Sequence, residues 1–204
     1  MKITWHGHSC FCVESAGYRI VLDPYPKSIR GYGQLSLRAN EVLCSHEHFD
    51  HNCRKAVTLE EGVPSPFTVE TVAALHDDQG GALRGQNTIH VLRTEGMAVA
   101  HLGDLGHLPT AEQTEKLRGC DVLLIPVGGT YTIDAPTARR VVELLRPRIT
   151  VPMHYRRGSI GFENIGTLDE FLALFPAESI RMLEGNSFDP AAVPAGVTVP
   201  LYQP

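Results

Sequence analysis

The chain has 204 residues with a formal net charge of −5, and 43% of them are hydrophobic and 20% charged, an ordinary globular composition. This length fits a single domain over residues 1–204. The charge balance argues against nucleic acid as a partner, because a nucleic-acid-binding domain carries a clustered basic excess. No apolar run approaches the roughly 20 residues needed to span a bilayer.

The first half of the chain is predicted to be mainly β. Short apolar runs bounded by Gly, Pro or polar residues are typical of strands that are buried on at least one face. The predicted strands of this half are Lys2–Trp5, Cys10–Ser15, Arg19–Leu22, Glu41–Cys44, Thr71–Leu75 and Thr88–Arg93.

The second half alternates strands with helices. Further strands are predicted at Met97–Leu102, Asp121–Val127 and Arg148–Met153. The stretch Pro194–Pro204 is expected to form an edge strand or a contact arm, since it contains the apolar pattern of residues 197–199.

Three helices have recognisable starts. Capping-box patterns begin at Thr110 and at Thr167, and Asp134 followed two residues later by Pro opens a helix that ends before Pro147. In the third helix, the predicted inward-facing residues are Phe171, Leu174 and Phe175. Strands that cluster early and helices that interleave late predict an α/β (α+β) sandwich of two sheets with helices outside.

The most informative segment follows the strand Glu41–Cys44. Four metal-type residues stand within six positions, namely His46, His48, Asp50 and His51. Imidazole and carboxylate together form a ligand set that suits zinc, manganese and iron. Alternation places the first three on one side of an extended chain, with the fourth reaching from the next turn. So many donors in a small volume indicate two adjacent metal ions.

Three further metal-type residues stand where an apolar strand ends: His76, Asp104 and His154. Residues at strand ends project into loops at one edge of a sheet, where functional sites are commonly built. Each would be an unremarkable polar residue alone, but the histidine-rich segment makes a shared metal site the better interpretation.

In this order, these seven residues resemble the metal-ligand pattern of the metallo-β-lactamase superfamily of dinuclear hydrolases. The resemblance covers nearly the whole chain and is closest to the branch of ascorbate-6-phosphate lactonase-like proteins, with the N-acyl-phosphatidylethanolamine phospholipase D type more distant. The supporting motifs are Trp5-x-Gly7-His8-Ser9, Asp23-Pro24, His76-Asp77-Asp78-x-Gly80, His101-Leu102-Gly103-Asp104, Pro126-Val127-Gly128-Gly129 and Pro152-Met153-His154-Tyr155.

The resemblance implies a four-layer αββα sandwich with the site at one edge. By motif position, His46, His48 and His76 would hold one ion, and Asp50, His51 and His154 would hold the other. Asp104 would bridge the two ions. Zinc is the first choice, with manganese or iron as alternatives. His48, rather than the Glu usual in flavodiiron relatives, favours hydrolysis over redox chemistry. Asp104, where the best-known β-lactamases have Cys, makes antibiotic hydrolysis an unexpected activity.

Other residues receive supporting roles. Asp50 and Asp104 are expected to position a metal-bound hydroxide, His8 is the candidate proton donor, and Asp23 either orients a ligand histidine from behind or is an ordinary turn residue. Four residues are candidates for binding an anionic or phosphorylated substrate: Arg84, Tyr131, Tyr155 and Arg156. Phe49 alternates with the ligands and is expected to be structural.

The function predicted is hydrolysis of a small ester, lactone or phosphodiester. Two alternatives stay open, namely a nuclease for single strands and a metal-dependent binding protein without turnover. Five cysteines without a Cys-x-x-Cys pair argue against a disulfide framework. The N-terminus has no signal-peptide core. Both features favour the cytoplasm, and self-association is compatible with so compact a chain.

Overall fold

A computed structural model describes residues 1–203. Its strands are β1 Lys2–Gly7, β2 Cys10–Ser15, β3 Tyr18–Leu22, β4 Leu37–Ala39, β5 Glu41–Leu43, β6 Val57–Leu59, β7 Thr68–Leu75, β8 Gln86–Thr94, β9 Met97–His101, β10 Val122–Pro126, β11 Ile149–Met153, β12 Ile180–Met182, β13 Ser187–Phe188 and β14 Gly196–Val199. Its helices are α1 Ala111–Leu117, α2 Ala135–Leu145 and α3 Leu168–Leu172, with short 3₁₀ turns at Arg54–Ala56, Ala177–Ser179 and Pro190–Ala192.

Two sheets carry the fold. The first has the strand order β13-β1-β2-β3-β5, and the second has the order β12-β14-β11-β10-β9-β8-β7. Strands β7, β8 and β9 pair antiparallel, whereas the pairing is parallel from β9 through to β12. Strands β4 and β6 form a separate parallel pair. Parallel strands joined by helical crossovers beside an antiparallel half are the mixed α/β arrangement predicted from the sequence.

The hydrophobic core joins the two sheets. All five residues of β10 and all five of β11 are buried, as expected for parallel strands covered on both faces. In β1, burial alternates, with Ile3 and Trp5 pointing inward. His101 Nε2 lies 2.9 Å from the Ser9 carbonyl oxygen, and its ring is 6.0 Å from that of Phe11. Side chains of the two sheets therefore meet directly beneath the site.

The helix starts predicted from the sequence are confirmed. Thr110 with Gln113 and Thr167 with Glu170 form complete capping boxes, and Asp134 caps α2 by accepting a hydrogen bond from a backbone N–H. Helix α2 contacts both α1 and α3. Within residues 1–203, none of the helices has the length and apolarity to cross a membrane.

Two predictions near the C-terminus need correction. Leu174 is 38% exposed and lies beyond the end of α3 at Leu172, so the helical spacing used to predict an inward side chain does not apply to it. The segment Val197–Val199 is not an edge strand, since β14 lies between β11 and β12 and these residues are buried. The last residue of the predicted arm, Pro204, lies outside the described residues.

Candidate metal centre

The predicted metal residues come together at one edge of the two sheets. The segment 46–51 follows β5 of the first sheet. The other three follow strands of the second sheet: His76 comes after β7, Asp104 after β9 and His154 after β11. Strand ends from both sheets thus supply every side chain of the site.

Three imidazoles form a first cluster. His46, His48 and His76 offer ligand atoms that lie within 4.8 Å of one another. Their ring centroids are 4.6 to 4.9 Å apart. His46 and His76 are buried whereas His48 is exposed, so this cluster opens to solvent on one side.

A second cluster consists of buried residues. Asp50, His51 and His154 offer ligand atoms within 4.8 Å of one another, and His8 joins the same group. The rings of His51 and His154 are nearly parallel, with an interplanar angle of 16°. His8 was predicted to be near the site as a proton donor, so its place within the ligand group is a finding of the structure.

Asp104 connects the two clusters. Its Oδ2 lies 3.4 Å from His76 Nε2 of the first cluster, and 3.2 and 3.3 Å from Nε2 of His51 and His154 in the second. Ligand atoms held about 2.0–2.1 Å from one tetrahedral zinc ion stand roughly 3.3–3.4 Å from each other. The spacing around Asp104 is therefore that of donor atoms arranged around a cation.

Buried donor and acceptor atoms without partners support the same interpretation. His46 Nε2, His51 Nε2, His154 Nε2 and Asp104 Oδ1 are all buried without a hydrogen-bond partner. An unsatisfied buried polar group costs about 1–3 kcal/mol, so four at one place need a common partner. A metal ion supplies it, and the residues present fit such an ion.

Asp23 lies behind this site and contacts a predicted ligand, which is the geometry of the first of the two roles considered for it. Its carboxylate accepts hydrogen bonds from the Ser45 backbone N–H at 2.7 Å and from His51 Nδ1 at 2.8 Å. Burial alone would raise the pKa of Asp23, but the neighbouring His101 and His51 hold it at about 2. The ionised carboxylate accepts the hydrogen bond from Nδ1 and so orients the His51 ring with Nε2 toward the cluster.

The remaining charges are strongly coupled. Burial raises the pKa of Asp104, but the attraction of His154 and His51 outweighs this effect and moves the pKa well below its usual range. Burial lowers the pKa of His51, but Asp104 and Asp23 outweigh it and raise the pKa well above 6.5. The carboxylates of Asp104 and Asp23 are therefore ionised at neutral pH, and that of Asp104 is available to a cation.

His8 contacts the second cluster from the first sheet. It lies in the turn between β1 and β2 and has a left-handed backbone conformation with φ of 50°. Its Nε2 lies 3.2 Å from Asp50 Oδ2, and burial lowers its pKa to about 4. A neutral imidazole at this distance can donate a hydrogen bond to Asp50 and hold its carboxylate in place, and the role of His8 as proton donor stays a prediction.

A cavity of about 420 Å³ opens over the clusters. Its walls combine site residues with aromatic side chains and one cation; they are His48, Phe49, Asp50, His76, Arg84, Asp104, Tyr131 and Phe162. Phe49 was expected to be structural, yet it is 62% exposed at this cavity. Phe162 carried no sequence signal, because it belongs to a loop without regular pattern or motif.

Two of the four predicted substrate residues line this cavity. The Arg84 guanidinium donates to the Thr130 carbonyl oxygen at 2.8 Å and lies 5.6 Å from the centre of the Tyr131 ring.

Asp77 orders the loop that carries Arg84. Its carboxylate accepts hydrogen bonds from four backbone N–H groups, those of residues 79, 81, 83 and 84. That carboxylate had no assigned role in the sequence.

Tyr155 and Arg156 are not among the residues lining the cavity. The backbone at His154 is left-handed, with φ of 53°, and the chain turns away from the cavity there. Tyr155 is 2% exposed and packs on Trp5, with ring centroids 5.7 Å apart. Arg156 lines a separate cavity with Arg30. Their predicted contact with a substrate has no support in this geometry.

Close backbone packing at three glycines completes the site. A Cβ on Gly103 would overlap Ser45, one on Gly106 would overlap the backbone of residues 76–77, and one on Gly128 would overlap the His154 carbonyl oxygen. Each glycine therefore lets a ligand-bearing loop approach its neighbour more closely than any side chain would allow.

Comparisons with known proteins agree with this arrangement. The sequence model of the family described as beta-lactamase superfamily domain matches residues 2–154. A UPF0173 protein of Pyrococcus furiosus is 34% identical over 181 residues, which cover 76% of this chain and 83% of the relative. A UPF0173 metal-dependent hydrolase of Pyrobaculum islandicum is 31% identical over 195 residues, covering 76% of this chain and 84% of the relative.

A crystal structure from Thermotoga maritima shows the same fold over the full length. That protein, described as a candidate Zn-dependent hydrolase of the metallo-β-lactamase superfamily, is 35% identical, and the match covers 99% of each chain with a TM-score of 0.77. Because it covers 99% of this chain, the match includes both sheets. The chain belongs to the metallo-β-lactamase superfamily and is a metal-dependent hydrolase.

Proposed function

We propose that the protein is a dinuclear hydrolase that cleaves a small ester, lactone or phosphodiester. The observation that carries this proposal is the position of Asp104, whose Oδ2 lies within 3.4 Å of imidazoles from both clusters. A carboxylate shared by two imidazole groups is suited to bridge two ions rather than to complete one site. His46, His48 and His76 would hold one ion; Asp50, His51 and His154 would hold the other.

Zinc is the proposed metal, with manganese and iron as alternatives. The donor set is rich in imidazole nitrogen, which suits zinc, and the relative from Thermotoga maritima is described as a candidate Zn-dependent enzyme. When bound, two such ions would lower the pKa of a water molecule toward about 7 and neutralise charge that develops on the substrate oxygen.

The chain's own residues would position the reactants. Asp50 and Asp104 are ionised, and His8 holds the Asp50 carboxylate through a contact of 3.2 Å between Nε2 and Oδ2. Arg84 and Tyr131 face the cavity, where they can donate hydrogen bonds to a substrate oxygen. In the overall reaction, water oxygen bonds to the carbonyl carbon or phosphorus, the bond to the leaving oxygen breaks, and the proton from water ends on that oxygen.

The alternatives have weaker support. A nuclease for single strands would need a basic surface, and the chain carries 23 acidic against 18 basic residues. A binding protein without turnover would retain the ions but hydrolyse nothing. We therefore propose a small molecule as the partner, and the five unpaired cysteines support a reducing, cytoplasmic setting.

Metal content and turnover together test the proposal. Elemental mass spectrometry on tag-free protein should give about two ions per chain in the wild type and one or none in Asp104→Ala. The loaded wild type should hydrolyse at least one compound from a panel of small esters, lactones and phosphodiesters, and Asp50→Ala should abolish turnover while its circular dichroism spectrum is unchanged. A single ion in the reconstituted wild type would contradict the dinuclear site. Two ions without turnover would favour the binding protein.

A further inference from the structure

Three Phe or Tyr side chains line the cavity over the metal clusters. Phe49, Tyr131 and Phe162 line it together with the site residues. The Phe162 ring lies 5.4 Å from that of His8 and 6.2 Å from that of His154, so this apolar wall begins directly at the second cluster. A substrate bound at the clusters must place its neighbouring atoms against these rings.

The aromatic wall is held in place by polar contacts. The Tyr131 and Phe162 rings meet edge to face, with centroids 6.0 Å apart. Asn164 donates to the Tyr131 hydroxyl at 2.7 Å, and Thr130 donates to the Asn164 carbonyl oxygen at 2.6 Å. These bonds tie the loop after β10 to the loop before α3, so the wall is preorganised for a flat apolar group.

Arg84 is the single cationic side chain among the residues lining this cavity. It is held by the Thr130 carbonyl oxygen and the Tyr131 ring, which leaves other guanidinium donors free for a ligand. Arg30 and Arg156 line a different cavity. Outside the metal clusters, the walls can therefore neutralise one negative charge, and a second charge would face aromatic carbon.

From this arrangement we infer the substrate class. The protein selects a small ester that carries an aromatic, or comparably bulky apolar, group and a single acidic group, which Arg84 binds. Phe162 and Tyr131 contact the apolar group, and the cavity volume of about 420 Å³ falls within the usual range for small-molecule sites, about 300–1,000 Å³. Phosphorylated metabolites, which present two charges away from the scissile bond, are disfavoured. This inference rests on the proposed hydrolase function.

Matched esters with a common scissile group test the inference. Ethyl benzoate is neutral, monoethyl terephthalate adds one carboxylate, and ethyl 4-(phosphonooxy)benzoate adds a dianionic phosphate; ethyl acetate lacks the ring. With the metal-loaded wild type, kcat/KM should be highest for monoethyl terephthalate, by about tenfold or more over each of the others. Equal or higher kcat/KM for the phosphorylated ester or for ethyl acetate would overturn the inference.

Variants then assign the selectivity to residues. Phe162→Ala should reduce the preference for ethyl benzoate over ethyl acetate severalfold, and Arg84→Gln should remove the preference for monoethyl terephthalate over ethyl benzoate. Phe67→Ala is the matched control, because Phe67 packs on Tyr18 away from the cavity and should keep both ratios. Unchanged ratios in Phe162→Ala and Arg84→Gln would overturn the assignment.

Failure of the hydrolase function can be told apart from failure of this inference. If the protein retains two ions but hydrolyses neither these esters nor the wider panel of lactones and phosphodiesters, the proposed function fails, whereas turnover of that panel without turnover of any ester would overturn this inference alone. Calorimetric binding to the loaded protein then decides the substrate class with benzoate, acetate and phenyl phosphate as probes. Tighter binding of benzoate than of the other two supports the aromatic, singly charged ligand, and equal or weaker binding overturns it.

Discussion

The Asp23 carboxylate and the His51 imidazole are joined by a hydrogen bond of 2.8 Å in which Nδ1 donates to Oδ2. The same oxygen accepts the Ser45 hydroxyl at 2.5 Å. All three groups are buried, and Asp23 has a left-handed backbone with φ of 46°. A non-glycine residue adopts that conformation at some cost in energy. The strained backbone at Asp23 thus places its carboxylate where it orients the His51 imidazole toward the clusters.

Replacing Asp23 should weaken metal binding without removing a ligand. In Asp23→Asn, the neutral amide offers a weaker acceptor to His51, so the ring loses its fixed tautomer and orientation. Substitutions of such supporting residues typically cost about 10–100-fold in metal affinity. Competition with a chelator measures the affinity, and Asp169→Asn on the exposed surface of α3 is the charge-matched control. A folded Asp23→Asn protein with wild-type affinity would contradict the role of Asp23.

The close approach at Gly106 should not tolerate a methyl group. Gly106 packs against the backbone just after His76, and a Cβ there would overlap it. Neither Gly106 nor Gly185 has a positive φ, and a Cβ on Gly185 meets nothing within 4 Å. We expect Gly106→Ala to lower the free energy of unfolding by about 1–3 kcal/mol or more and to reduce metal content, while Gly185→Ala changes neither. Denaturant titration and elemental analysis of both variants test this, and equal stabilities would refute the packing argument.

Much of the fold was predictable, because local rules dominate it. The caps at Thr110, Asp134 and Thr167 set the helix starts, and short apolar runs bounded by turns defined the main strands. The position of β14 was not predictable, since pairing between distant strands has no signature in a single sequence. Strands in the interior of a sheet and strands at its edge can both have the sequence pattern of a short apolar run.

Some residues of the site were likewise predictable from the sequence and others were not. The seven metal residues were recognisable from spacing and strand ends, and the structure gathers them. The aromatic wall was not, since Phe162 lies in an irregular loop and Phe49 was assigned by alternation that the loop after β5 does not obey. Tyr155 was predicted to help bind an anionic substrate, but its ring is buried against Trp5, a contact between distant segments that a single sequence does not reveal.

Asp77 should control the order of the loop that presents Arg84. Burial alone would raise its pKa, but four backbone N–H donors lower it to about 2. Its stabilising effect is therefore present above pH 3.8 and is lost as the pH falls through about 2. Asp77→Asn leaves only one acceptor oxygen, so amides in residues 79–84 should exchange hydrogen severalfold faster at neutral pH. Mass spectrometry measures the exchange, and exposed Asp78→Asn should leave it unchanged. Equal exchange in both variants would show that other contacts order the loop.

Metal uptake should release protons, and His51 indicates the direction. In the metal-free protein its pKa lies well above 6.5, so the imidazole is protonated at pH 7. The charged His51 ring stabilises the folded metal-free protein. This contribution is fully present below pH 6.5 and is lost as the pH rises through the folded-state pKa. A metal ion needs the neutral ring, so apparent affinity should fall as the pH is lowered, by about tenfold per pH unit for each proton displaced. Zinc titrations at pH 7 in two buffers of different ionisation enthalpy should give different heats, corresponding to about one proton from His51.

His6→Gln is the control and should release the same number of protons, because burial already lowers the His6 pKa to about 4 and that ring is neutral at pH 7. Identical heats in the two buffers would mean that His51 is already neutral before the ion binds.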